Sequence, residues 1–100
     1  MIMKIFKDER IDRYLTTLKK DQLAKIIQVT ELFRDYGYSL SNKHLKKLNR
    51  QIWELKIEKH RILFGEIKNG IVIVNIFYKK TQKTPKKELR LAIQRLKYHI

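Results

Sequence analysis

The chain has 100 residues, with 24 lysines and arginines against 10 aspartates and glutamates, a formal net charge of +14 at pH 7. Its 43% apolar residues suffice for one small core that buries about 60–65% of the surface the unfolded chain exposes, and exclude a second domain. Cysteine is absent, which excludes disulfides, thiolate nucleophiles and thiolate-held zinc, and the longest apolar run, 71–78, is broken by Asn75 and far short of the ~20 residues of a membrane span. A chain without disulfides or a secretory signal is expected to be soluble and cytoplasmic.

In chain order, residues 2–6 read as a short strand. Asp8 can cap a helix with Ile11, Tyr14, Leu15 and Leu18 on one stripe. Asp21 can cap a second helix with Leu23, Ile26, Ile27, Leu32 and Phe33 inward, and Gly37 is its stop signal. These two helices form a hairpin expected to pack on a sheet. Residues 38–49 show no sustained period and read as a connection. From Gln51 the period becomes 2, with Trp53, Leu55 and Ile57 on one face and Ile52, Glu54 and Lys56 on the other, which predicts a half-buried strand. Two more strands, 61–67 and 71–78, flank Asn69-Gly70, the dipeptide of a type I′ hairpin turn. Pro85, preceded by Thr84 as cap, opens a last helix with Leu89, Ala92, Ile93 and Leu96 on its inner stripe.

The charge belongs to the C-terminal part. Residues 1–40 carry eight basic and six acidic side chains, whereas 41–100 carry sixteen and four. Between Lys79 and Lys97 eight basic residues face the single Glu88. Such self-repulsion costs stability and points to a polyanionic partner, nucleic acid or an acidic protein; without large apolar residues beside the charges, a membrane surface is disfavoured.

Residues 51–64, QIWELKIEKHRILF, and 77–89, FYKKTQKTPKKEL, closely resemble the RelE/ParE toxin superfamily in its HigB-like, phage-related branch. Members of that branch show a Trp/Tyr-Glu-Leu-Arg strand, an Arg-aliphatic-aromatic strand and a Phe-x-Lys-Lys-x-x-Lys-Thr-Pro junction. The match runs over residues 40–97. Two departures stand out: Leu55-Lys56 replaces Leu-Arg, which keeps the charge but loses the bidentate fork, and 49–51 lacks the usual glycine. The resemblance implies an α+β, RelE-like fold: an antiparallel sheet made of a short N-terminal strand and a three-stranded meander, with an N-terminal helical hairpin and a C-terminal helix. It further implies a type II toxin that cleaves mRNA, usually on the ribosome, without metal or other cofactor. Its implied partner is a helix-turn-helix, HigA-like antitoxin in a heterotetrameric complex.

Such chemistry must deprotonate a 2′-OH, stabilise the charged phosphorane and protonate the leaving 5′ oxygen. Arg61 matches the family's active-site arginine, and its bland alternative is a surface ion pair with Glu54 or Glu58. Lys79 and Lys80 stand where the family places a cation facing the scissile phosphate; only one of them can face the site. Lys56, whose proton affinity crowded cations would lower, and Glu54 on the same strand face are the candidate proton carriers. Arg50, His60, Tyr78, Lys83, Lys86 and Arg90 are the candidate RNA contacts, Tyr78 as a stacking platform. His44 and His99 have no evident role, and no histidines pair at metal-ligand spacing. Trp53 and Phe77 read as core. Two rivals remain: a ParE-like poison of DNA gyrase, and a non-catalytic RNA- or ribosome-binding module.

Overall fold

The computed structural model describes residues 3–100. The apolar alternation between 52 and 78 builds β3 (Ile52–Ile57), β4 (His60–Ile67) and β5 (Gly70–Tyr78), paired antiparallel in sequence order as predicted. Two short strands complete the sheet: β1 (Ile5–Lys7), parallel to β5, and β2 (Leu45–Lys47), antiparallel to β3, giving the order β1-β5-β4-β3-β2. The sheet is thus mixed where an antiparallel one was expected, because β5 reaches β1's free side running in β1's own direction. The connection 38–49 contains β2, whose three residues are too few to display a period. Ile2, the start of the expected first strand, lies outside the described residues, as does Met1.

Helices α1 (Glu9–Leu15) and α2 (Lys20–Tyr36) cover one face of the sheet, and α3 (Lys86–Leu96) covers the other. Ile11, Ile26 and Phe33 from the helical hairpin pack with Leu55, Ile57, Ile62 and Phe64 in one core cluster. Ala92 and Leu96 of α3 pack with Ile52, Leu63, Val72, Val74 and Phe77 in a second. β3 is therefore covered on both sides, not half-buried, since α3 closes over the Ile52 face. The predicted inner stripe of α3 is observed.

Several local expectations change. Asp8 does cap α1, accepting from the Arg10 N–H at 3.0 Å, but α2 starts with Lys19 at its cap position and Asp21 inside the first turn. Ile27, 47% exposed, points away from the core. Gly37 ends α2 with φ 58° as read. Gly70 does something other than form the turn. The two-residue loop is Lys68–Asn69, and Gly70 opens β5 at φ 153°, where a Cβ would lie 2.1 Å from the Lys4 carbonyl oxygen. That carbonyl accepts from the Ile71 N–H at 3.0 Å, so the glycine admits β1 to the sheet. Before β3, the Asn49 Oδ1 accepts from the N–H groups of Gln51 and Ile52, each at 2.8 Å, and this side-chain turn stands in for the family's glycine.

Candidate active site

β3 and β4 are joined by the two-residue turn Glu58–Lys59, with Glu58 at φ 54°. The register makes Lys56 and Arg61 direct cross-strand partners, and Arg61 is in turn paired with Phe77 of β5. Two cations are thereby placed side by side at the hairpin tip, an arrangement that costs energy unless an anion sits against them. Arg61 folds over the tip: its Nη1 donates to the carbonyls of Glu58 (2.5 Å) and His60 (2.9 Å), while its Nε is buried without a partner. The expected alternative, an ion pair with Glu54 or Glu58, is not formed. The Glu58 carboxylate pairs instead with Lys25 of α2, and Glu54 is engaged elsewhere. Lys56 Nζ donates to the Asn42 carbonyl at 3.2 Å. Lys56 and Arg61 line an open groove of about 490 Å³ together with Lys25, Gln28, Lys43 and His44. These last four were not singled out as site residues from the sequence, since they lie on α2 and in the 38–49 connection and carry no local motif.

Glu54 lies on the same strand face as Lys56, as read, but is only 1% exposed and accepts a hydrogen bond from the Thr84 hydroxyl. Thr84 thus grips β3 and does not cap α3; Pro85 holds the cap position, and its carbonyl accepts from the Glu88 N–H at 3.0 Å. A second buried polar residue, Asn75 of β5 (4% exposed), donates from its amide to the backbone carbonyl and Oε1 of Glu88, both at 3.1 Å. The start of α3 is therefore tied to β3 and β5 by two buried side chains. Between these ties lies the lysine-rich loop. The Lys79 N–H donates to the Lys59 carbonyl at 2.7 Å, which carries the β4–β5 pairing past the strand and sets Lys79, half-buried, against the hairpin turn. Lys80, Lys83 and Lys86 are exposed.

His60 departs most from expectation. It is 6% exposed, on the face opposite Arg61, with its Nε2 3.2 Å from the Tyr14 hydroxyl and its ring edge-on to Tyr14 and Tyr78. Burial pushes its pKa down and pushes that of the Tyr14 hydroxyl up. Tyr78 is exposed but shares His60's face, so the two sit beside a separate hollow of about 190 Å³ that shares Lys25 and Glu58 with the Arg61 groove. Arg50 is in the turn before β3, about 20 Å of strand away from Lys56, and Arg90 faces solvent in the second turn of α3; neither joins the groove. His99, without an evident role in the sequence, is docked, with Nε2 2.8 Å from the buried Asp8 carboxylate. Phe77 is core as read, and Trp53 is half-buried against Tyr38. Among the described residues no three His, Asp or Glu side chains converge as metal ligands would, and no helix is long and apolar enough to cross a membrane.

A search of curated proteins found no match. A family profile described as "Phage derived protein Gp49-like" matches residues 13–97. The chain belongs to the Gp49-like family. Among solved structures, this Gp49-like protein is similar to the archaeal RelE-RelB complex from Pyrococcus horikoshii OT3, at 10% identity over 79% of this chain and 97% of that one, with a TM-score of 0.64. The fold is RelE-like, as the resemblance read from residues 51–64 and 77–89 implied. The matched region contains the hairpin tip, the lysine loop and both ties to α3.

Proposed function

We propose that this Gp49-like protein is the toxin of a toxin–antitoxin pair and acts as a HigB-like endoribonuclease on mRNA in the cytoplasm, working at the ribosome. The observation that carries the reading is the pair Lys56–Arg61, two adjacent cations lining an open groove whose one carboxylate, Glu58, is paired with Lys25 and not with Arg61. A scissile phosphate is an anion that fits a guanidinium and an ammonium held side by side with no ion-pair partner on either. In the proposed reaction the 2′-OH gives its proton to Lys56 as general base, and the 2′ oxygen attacks the adjacent phosphorus. Arg61 holds the phosphorane oxygens, and the 5′ oxygen leaves as it takes a proton, with Lys79 or Lys80 as donor. The products are a 2′,3′-cyclic phosphate and a 5′-OH, with no metal or cofactor drawn in. Glu54, sealed from solvent, acts as a tether.

The partner proposed is a helix-turn-helix, HigA-like antitoxin in a heterotetramer. The similar archaeal RelE is itself known in complex with RelB, which supports an antitoxin for this chain. The test is single-turnover cleavage of labelled mRNA, with and without ribosomes, for the parent and for Arg61→Ala. Loss of one donor to the transition state should slow cleavage by ~10² to 10³. Because Arg61 also caps two backbone carbonyls at the hairpin tip, the variant should lose on the order of 1 kcal/mol of stability and still fold. A folded Arg61→Ala that cleaves at the parental rate removes the assignment. Inhibited gyrase supercoiling without new RNA ends points to the ParE-like reading, and RNA binding without new ends to a non-catalytic module.

A further inference from the structure

The cations of α3 outnumber what one scissile phosphate requires, and their placement is regular. Lys86, Arg90 and Lys97 are all exposed and, at 100° per residue, fall on one side of the helix, while Glu88 is turned inward to Asn75. None of the three is in an ion pair among the described residues. The ridge spans about 16 Å of helix and ends in an open groove of about 640 Å³, lined by Arg10 from the start of α1 and by Arg95, Lys97 and Tyr98 from the C-terminal end of the chain. Tyr98 is 78% exposed, with the Arg10 guanidinium 5.8 Å from its ring centre. Arg95 donates from Nη1 to the Val74 carbonyl at 2.9 Å, and its Nε is buried without a partner. The carboxylate nearby, Asp8, is itself buried and shared between His99 at 2.8 Å and Arg10 at 3.5 Å.

We infer that this ridge and groove form a second RNA-binding surface, separate from the Arg61 groove, that holds single-stranded RNA along α3 with a base stacked on Tyr98. The inference rests on the reading of the chain as RNA-directed, though not on cleavage. An unpaired row of cations ending at an exposed ring matches successive phosphates and a base. A protein partner would need an apolar centre to desolvate, whereas the exposed large apolar side chains at this end of the chain, Tyr98 and Ile100, lie beyond the last turn of α3 and not along the row of cations. Burial, followed by the charge of Arg10, lowers the pKa of Arg95, against the opposing charges of Asp8 and Glu88.

Binding of a fluorescent 12-nucleotide oligouridylate, measured over a salt series in the full chain carrying Arg61→Ala, tests this surface whether or not the parent cleaves RNA. Adding Lys97→Gln should flatten the log–log salt slope by about 0.7, and adding Arg10→Gln should flatten it by about as much again. Tyr98→Ala should weaken binding about fivefold or more, and Tyr98→Phe should restore it. Lys97→Gln alters an exposed side chain, and its unchanged melting temperature guards against a folding artefact. Parental slopes and affinity in all variants overturn the inference. So does a poly-glutamate peptide that binds the same residues as tightly as the oligonucleotide, which would mark the surface as one for an acidic protein.

Discussion

Arg61, Glu54 and His60 are polar residues within eight positions of one another, and the fold gives them three different situations. Arg61 keeps a charge facing a groove, Glu54 is sealed beneath Thr84, and His60 is sealed on the opposite face. His60 yields a pH prediction with a definite sign. Its folded pKa lies below the ordinary 6.5 because burial disfavours the charged ring, so between the two values the unfolded chain binds more protons. Stability then falls as pH drops through that window, and the His60 contribution levels off below the folded pKa. Thermal unfolding at pH 7.5 and 5.5 should show a larger loss on acidification for the parent than for His60→Gln. Equal losses would show that the imidazole is not held neutral.

At the scale of elements, α3 is positioned by two buried polar contacts as well as by apolar packing. Ala92 and Leu96 hold its body against the sheet, whereas Glu54–Thr84 and Asn75–Glu88 hold its start. Thr84→Val leaves the Glu54 carboxylate buried without its donor, a change that costs about 1–3 kcal/mol. It should also slow cleavage more than a distant substitution of equal stability cost, since the lysine loop loses its anchor. Glu54→Gln, which keeps an acceptor, should retain most activity. If Glu54→Gln abolishes the pH dependence of cleavage in a folded protein, the carboxylate carries a proton and the tether assignment fails. The opposite edge of the sheet rests on Gly70. Gly70→Ala sets a methyl group against the Lys4 carbonyl, so β1 must move; a loss of about 1–3 kcal/mol is expected, with faster hydrogen exchange at the Ile71 amide.

For the whole molecule, the decisive quantity is a net charge of +14 on 100 residues. The polar contacts at the hairpin tip and at the two ends of α3 leave most of those cations facing solvent, which favours a counter-charged partner over an isolated existence. An antitoxin holding such a chain should cover an interface of standard size, ~1,600 Å² in total. Expression of the chain alone should arrest bacterial growth, and co-expression with the neighbouring reading frame should restore it. Harmless expression in several hosts would take away the toxin reading.

What short-range chemistry decides is legible in the chain's own order of residues. The 2-residue period at 51–57, the glycine after α2 and the 3.6-residue stripe of α3 are each written within a few positions, and the fold obeys them. The Lys56–Arg61 pairing was not read there: the second strand was expected to open at Arg61, whereas β4 opens at His60 across the two-residue turn Glu58–Lys59, and that turn sets the register. The tertiary structure alone decided whatever depends on residues far apart in the chain. That β3 is covered on both faces required α3, some thirty positions later. That Glu54 is a tether required Thr84, and that His60 is buried required Tyr14 from α1. That Gly70 serves β1 rather than its own turn required Lys4. Lys25, Lys43 and His44 join the groove only because α2 and the 38–49 connection fold against the hairpin tip. Burial and charge pairing are properties of neighbours in space, and a local pattern carries no record of which neighbours a side chain will meet.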